Sequence, residues 1–144
     1  MSRHIKEPEY NYDSQFESNF VSSEGCLSKN TIFCFKHIDK DYDADKLCNK
    51  KTENNLKKAF IKKIQQISKI EIALVQSNDR TGFGYELLNT NQLKKDIPNS
   101  VTQDIEKVHV FRFGGKGRIV GYYNENIFHI LFIDPHLELY NHGS

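Results

Sequence analysis

The segment from Lys107 to Asp134 constrains the fold most, because it reads as three β-strands separated by two tight turns. Val108 and Val110 alternate with His109, Phe111 and Phe113, the period of two that sends successive side chains to opposite faces of a sheet. Gly114-Gly-Lys-Gly is the strongest turn signal in the chain, since glycine reaches the positive φ values of a hairpin turn at no steric cost. Arg118-Ile-Val-Gly-Tyr-Tyr is then a second strand and Asn124-Glu-Asn a second turn. Ile127-Phe-His-Ile-Leu-Phe-Ile is a third strand, so nearly all apolar that cover on both faces is predicted. Asp134-Pro135 stops it, and the tail from His136 to His142 is expected to return as a short strand or turn. The meander is therefore predicted over 107–142.

Upstream, Thr31–Ile38 is β-branched and aromatic, ends in the solvated Asp39-Lys-Asp-Tyr-Asp, and predicts a strand near the core. Residues 52–70 carry the clearest helical period: Leu56, Phe60, Ile64 and Ile67 recur at spacings of four, four and three. Thr52 is the expected N-cap. Ile70–Val75 either ends that helix or begins a strand, the glycines of Asn78–Tyr85 mark a loop, and Leu87-Leu88 fits a short strand or helix. Residues 1–30, polar with isolated aromatics, read as an irregular arm. A chain of 144 residues suits one domain. The expected fold is a single α+β domain, an antiparallel meander of three to five strands packed against one or two helices.

Net charge is only +1, yet it is unevenly spread. Residues 1–45 hold five Lys/Arg against nine Asp/Glu, whereas residues 46–71 hold eight Lys against two Glu. That basic stretch coincides with the helix, whose Lys57, Lys58, Lys62 and Lys63 lie off the apolar face. They are either an ordinary solvated face or a local attraction for phosphate, since screening confines each charge to about 8 Å. No apolar run approaches the roughly 20 residues of a membrane span, and the N-terminus lacks a signal-peptide pattern, so a cytoplasmic location is expected. Cys26, Cys34 and Cys48, odd in number and without Cys-x-x-Cys spacing, are read as reduced and mostly buried thiols.

Candidate chemistry gathers on the meander: Lys107, His109, Arg112, Lys116, Arg118, His129, His136, Tyr140 and His142. RNA cleavage by internal transesterification needs a base for the 2′-hydroxyl, cations for the phosphorane and an acid for the 5′-oxygen, and His, Tyr, Lys and Arg meet those needs without a metal or cofactor. Arg118, opening a strand beside a glycine turn, is the first choice for the electrostatic role. His136 and His142 are the better acid/base candidates. His129, inside an apolar strand, reads more readily as a hydrogen-bonded core residue. Tyr140 has an alternative role in packing the tail. Lys107, His109, Arg112 and Lys116, with the four helix lysines, are the candidate RNA phosphate contacts. His129, Asp134 and His136 could supply metal ligands, but match no recognised spacing, so no metal is expected.

A basic helix followed by Gly-Lys-Gly-Arg118-Ile-Val-Gly-Tyr-Tyr, Ile127-Phe-His-Ile-Leu-Phe-Ile and His136-x3-Tyr140 is similar to the RelE/ParE superfamily of bacterial toxins. The resemblance covers the C-terminal third and one helix. It implies a small α+β ribonuclease that cleaves messenger RNA, often on the ribosome, with a protein antitoxin as partner. It also implies that Arg118 contacts the scissile phosphate and that His136 and Tyr140 are the imidazole and phenol near the C-terminus. ParE-type members are not ribonucleases, so the competing expectation is a noncatalytic binding protein, antitoxin-like or anti-defence, that holds a partner through the lysine face or the aromatic arm.

Overall fold

The computed structural model describes residues 29–77, 83–102 and 104–141. Strand β1 (Ile32–Cys34) is followed by helices α1 (Ala44–Leu47), α2 (Asn54–Ser68) and α3 (Ile72–Ser77). Then come β2 (Tyr85–Asn89), a 3₁₀ turn (Thr90–Gln92), β3 (Lys107–Phe113), β4 (Gly117–Asn124) and β5 (Ile127–Asp134). The described strands form one sheet in the order β1-β5-β4-β3-β2. The protein is thus a single α+β domain built on a β-meander packed against helices. β2 to β5 run antiparallel, and β1 adds to β5 in parallel, Ile32 opposite Ile127 and Cys34 opposite His129. The sheet is therefore mixed.

Several local boundaries differ from expectation for identifiable reasons. The first strand is Ile32–Cys34 rather than 31–38, because the chain turns at once, Ile38 N–H bonding back to the Phe35 carbonyl. It is an edge strand, with Ile32 58% exposed, and it lies near the core as expected, Phe33 packing against the helix-face layer edge-on to Phe128 at 5.8 Å. The long helix is Asn54–Ser68 rather than 52–70, and its N-cap is Glu53, with no side-chain bond. Thr52 is buried and donates its hydroxyl to the Lys46 carbonyl at 3.1 Å, so it fastens α1 to α2 instead of capping. Ile72–Ser77 is a separate short helix, and the regular meander ends at Asp134. Residues 1–28 of the predicted arm, with Cys26, lie outside the described residues; Cys34 is half-buried, and Cys48 is exposed, contrary to the reading of buried thiols.

Each sheet face carries its own apolar layer. On one, Leu56, Phe60 and Ile67 of α2 meet Phe111, Phe113, Ile119, Phe128, Ile130 and Ile133, and Phe60 stands edge-on to Phe113 at 5.5 Å. On the other, Val108, Val110, Val120, Leu131 and Phe132 lie under Ile97, Val101, Leu139 and Tyr140, contributed by the 90–106 connection and the tail. Burying each such Phe or Leu stabilises by about 1.5–3 kcal/mol. A β-bulge explains why β5 is apolar without clean alternation. Val120 faces Phe132 but Gly121 faces Ile130, leaving Leu131 unmatched on β4, its carbonyl accepting Asp39 N–H at 2.8 Å. Inserting one residue reverses the facing of everything after it, so Ile130 and Ile133 share the helix face while Leu131 and Phe132 share the other.

Candidate functional site

The cross-strand register builds a polar row at one end of the sheet. Arg112 of β3 is opposite Arg118 of β4, which is opposite Asp134 of β5, and cross-strand partners share a face. Two residues further along, Glu86 of β2 is opposite Val110, on that same face. β2 reaches this row through Gly84, whose carbonyl accepts Arg112 N–H at 2.8 Å. Gly84 has φ +78°, and a Cβ there would stand 2.9 Å from Arg112 Cβ, so a side chain would be both strained and crowded.

Arg118 is only 6% exposed. Its Nη1 donates to the Gly115 and Gly117 carbonyls at 2.8 and 2.9 Å, and its Nε donates to the Tyr140 hydroxyl at 3.1 Å. Tyr140 in turn donates to Glu86 Oε1 at 2.5 Å. The turn glycines, β4, the tail and β2 are thereby joined in one line of hydrogen bonds, ending on a carboxylate that is half-buried. Burial, and then the Glu86 carboxylate that accepts its proton, push the Tyr140 phenol far up, although Arg118 acts in the opposite direction. Tyr140 therefore stays protonated and acts as a donor.

Asp134 fixes the tail that delivers Tyr140. Its Oδ2 accepts Glu138 and Leu139 N–H at 2.8 and 2.9 Å, and its Oδ1 accepts His136 N–H at 3.3 Å. Burial raises its pKa against the lowering effect of those three donors. The turn it closes includes Leu137 at φ 61°, a left-handed conformation that costs an L-residue about 1–2 kcal/mol.

Of the sequence candidates, Arg118 and Tyr140 meet, with Arg112 on the neighbouring strand. His136 does not join them; its Nε2 lies 3.3 Å from the Thr52 hydroxyl. His142 lies outside the described residues. His109 is on the opposite sheet face, 2.5 Å from the Tyr85 hydroxyl and ringed by Tyr85 and Tyr123; burial lowers its pKa. Lys107 pairs with Asn89 at the far end of β3, and Lys116 is exposed at the β3–β4 turn. Lys63 donates to the Phe83 carbonyl at 3.0 Å, and its pKa is lowered by burial and then by Arg112. Lys57, Lys58 and Lys62 flank Ile61, itself 57% exposed, on the outer side of α2. His129 stacks on Tyr122 at 4.8 Å, and its Nδ1 is buried without a hydrogen-bond partner among the described residues, which differs from the expected bonded core histidine. Among the described residues no three of His, Cys, Asp and Glu gather as metal ligands, and no helix is long and apolar enough to cross a membrane.

Glu86 is the residue that sequence reasoning missed. Its signal was an acid in Tyr85-Glu-Leu-Leu, two positions from Leu88 and so on the face that should be apolar. Compared with known proteins, the chain gives no significant match to a family model, a curated protein or a solved structure.

Proposed function

We propose that this protein is a metal-independent endoribonuclease of the toxin type, acting on messenger RNA, with the Arg118–Tyr140–Glu86 line as the core of its site. The observation that carries the reading is that line itself: a half-buried carboxylate held by a phenol that is held by a guanidinium, with a second arginine, Arg112, cross-strand to the first. Glu86 accepts the 2′-hydroxyl proton as that oxygen bonds to phosphorus. Arg112 and Arg118 stabilise the negative charge of the phosphorane. As the bond from phosphorus to the 5′-oxygen breaks, Tyr140 protonates that oxygen and recovers a proton from Glu86 through their existing hydrogen bond. The products are a 2′,3′-cyclic phosphate and a free 5′-hydroxyl, with no net proton change.

The burial of Arg118 and Tyr140, 6% and 4% exposed, favours a second reading, in which the same line only latches the tail of a noncatalytic binding protein. One experiment separates them. Purified protein is incubated with end-labelled RNA in excess chelator, alongside Glu86→Gln and Tyr140→Phe. The ribonuclease reading expects cyclic-phosphate ends from the wild type and a loss of about 100-fold or more in both folded variants. An inert wild type leaves the binding protein.

A further inference from the structure

Between the segment after β1 and the 90–106 connection lies a cleft of about 500 Å³. Ile38, Ile97 and Pro98 form its apolar walls, and Asp39, Lys40 and Asp96 add polar groups. It is firmly framed. Lys95 Nζ, also on its lining, bonds Asp39 Oδ1 at 2.8 Å and Asp41 Oδ2 at 2.6 Å, and Asp39 N–H bonds the Leu131 carbonyl of β5. Lys94 N–H bonds the Leu139 carbonyl at 2.6 Å. Lys94 adjoins Lys95 of the cleft and Leu139 adjoins Tyr140 of the site, each step being about 3.8 Å between Cα atoms. The segments that carry cleft and site are therefore hydrogen-bonded neighbours, and Ile97 of the cleft shares one apolar layer with Tyr140. Beside the cleft, His37 bonds Ser100 at 2.9 Å and its ring lies 5.6 Å from that of His129, which stacks on Tyr122.

We propose that this cleft is a specificity pocket that receives one unpaired nucleobase flanking the cleaved bond, and that it selects a base bearing an exocyclic amino group. The inference rests on the ribonuclease reading. A volume of this size lies within the usual range for small-ligand pockets. Proteins that read RNA by sequence take up splayed single-stranded bases, laying their faces on side chains and bonding their edges. Ile38, Ile97 and Pro98 supply apolar surface for a base face. Asp96 is exposed at the cleft, and a carboxylate accepts hydrogen bonds, so it pairs with the exocyclic amino group of adenine or cytosine, which uracil lacks. Lys40, exposed on the same lining, neutralises the adjoining phosphate.

The test uses fluorescence anisotropy with 2′-O-methyl octamers, which lack the nucleophile and cannot be cleaved, of adenine, cytosine or uracil. The wild type is expected to bind the adenine and cytosine octamers about tenfold more tightly than the uracil octamer, the worth of one charge-assisted hydrogen bond. Asp96→Ala, at an exposed position, should remove the preference, leave uracil binding unchanged, and raise KM with kcat retained on a cleavable RNA. Equal wild-type affinity for all three octamers, or a preference that survives Asp96→Ala, overturns the pocket while cleavage of the RNA still upholds the ribonuclease. A wild type that binds no octamer and cuts no RNA overturns both.

Discussion

Arg118 and Tyr140, twenty-two residues apart, meet because the tail folds back over the sheet, the guanidinium Nε donating to the phenolic oxygen at 3.1 Å while that oxygen donates to Glu86. The contact ties the strand that opens beside the glycine turn to the end of the described chain. It gives both residues a role whichever reading of function holds. Catalysis adds the demand that Glu86 be accessible.

Tyr140→Phe removes the shared hydroxyl and with it one hydrogen bond each of Arg118 Nε and Glu86. Stability is expected to fall by about 1–3 kcal/mol, the usual cost of stranding buried polar groups, read from the urea midpoint. Glu86→Gln, which keeps an acceptor oxygen for Tyr140, should unfold within about 1 kcal/mol of wild type while abolishing cleavage. A Gln variant as active as wild type would remove Glu86 from the mechanism.

At Asp134, alanine and asparagine should separate. Alanine strands three backbone N–H groups and is expected to cost about 3 kcal/mol or more. Asparagine retains one oxygen for the Glu138 and Leu139 donors and should cost about 1 kcal/mol. Hydrogen exchange at Glu138 and Leu139 checks the cause: both amides should become unprotected in the alanine variant alone.

Gly121 sits at the bulge between strands β4 and β5. A Cβ there would lie 2.1 Å from the His129 carbonyl oxygen, a backbone atom that cannot swing aside. Gly121→Ala is expected to cost more than about 4 kcal/mol or to prevent folding. Gly115→Ala meets nothing within 4 Å and carries only the strain of φ +82°, about 1–2 kcal/mol. Comparable melting temperatures for the two would mean that the bulge relaxes freely.

Burial holds the His109 pKa below its ordinary value of 6.5. The unfolded chain therefore binds a proton that the folded chain resists, so this residue's contribution is intact above about pH 6.5 and is lost as pH falls below it. His129 shifts in the same direction, from burial and then from His37 and Lys36. Urea midpoints should decline from pH 7 to pH 5, and the decline should be shallower in His109→Gln, which keeps a polar partner for Tyr85. An unchanged slope would place the acid sensitivity elsewhere.

The meander, its two turns and the helix core positions Leu56, Phe60 and Ile67 were legible in the sequence because each is a local period or a local turn preference. Alternation alone separates His109 from Arg112, since an odd spacing along a strand puts them on opposite faces. What pairs with what was not legible. The bulge that lets Leu131 and Phe132 share a face is a matter of register between β4 and β5, and the parallel docking of β1 on β5 and the diversion of His136 to Thr52 are contacts across more than eighty residues. Glu86 stayed hidden for that reason: its partner Tyr140 lies fifty-four positions away. The sequence by itself determined the three meander strands and the long helix, because backbone sterics and side-chain period act over a few residues. Only the tertiary structure decided which polar groups meet, because a buried hydrogen bond depends on where the register of the sheet and the fold of the tail bring its two ends together.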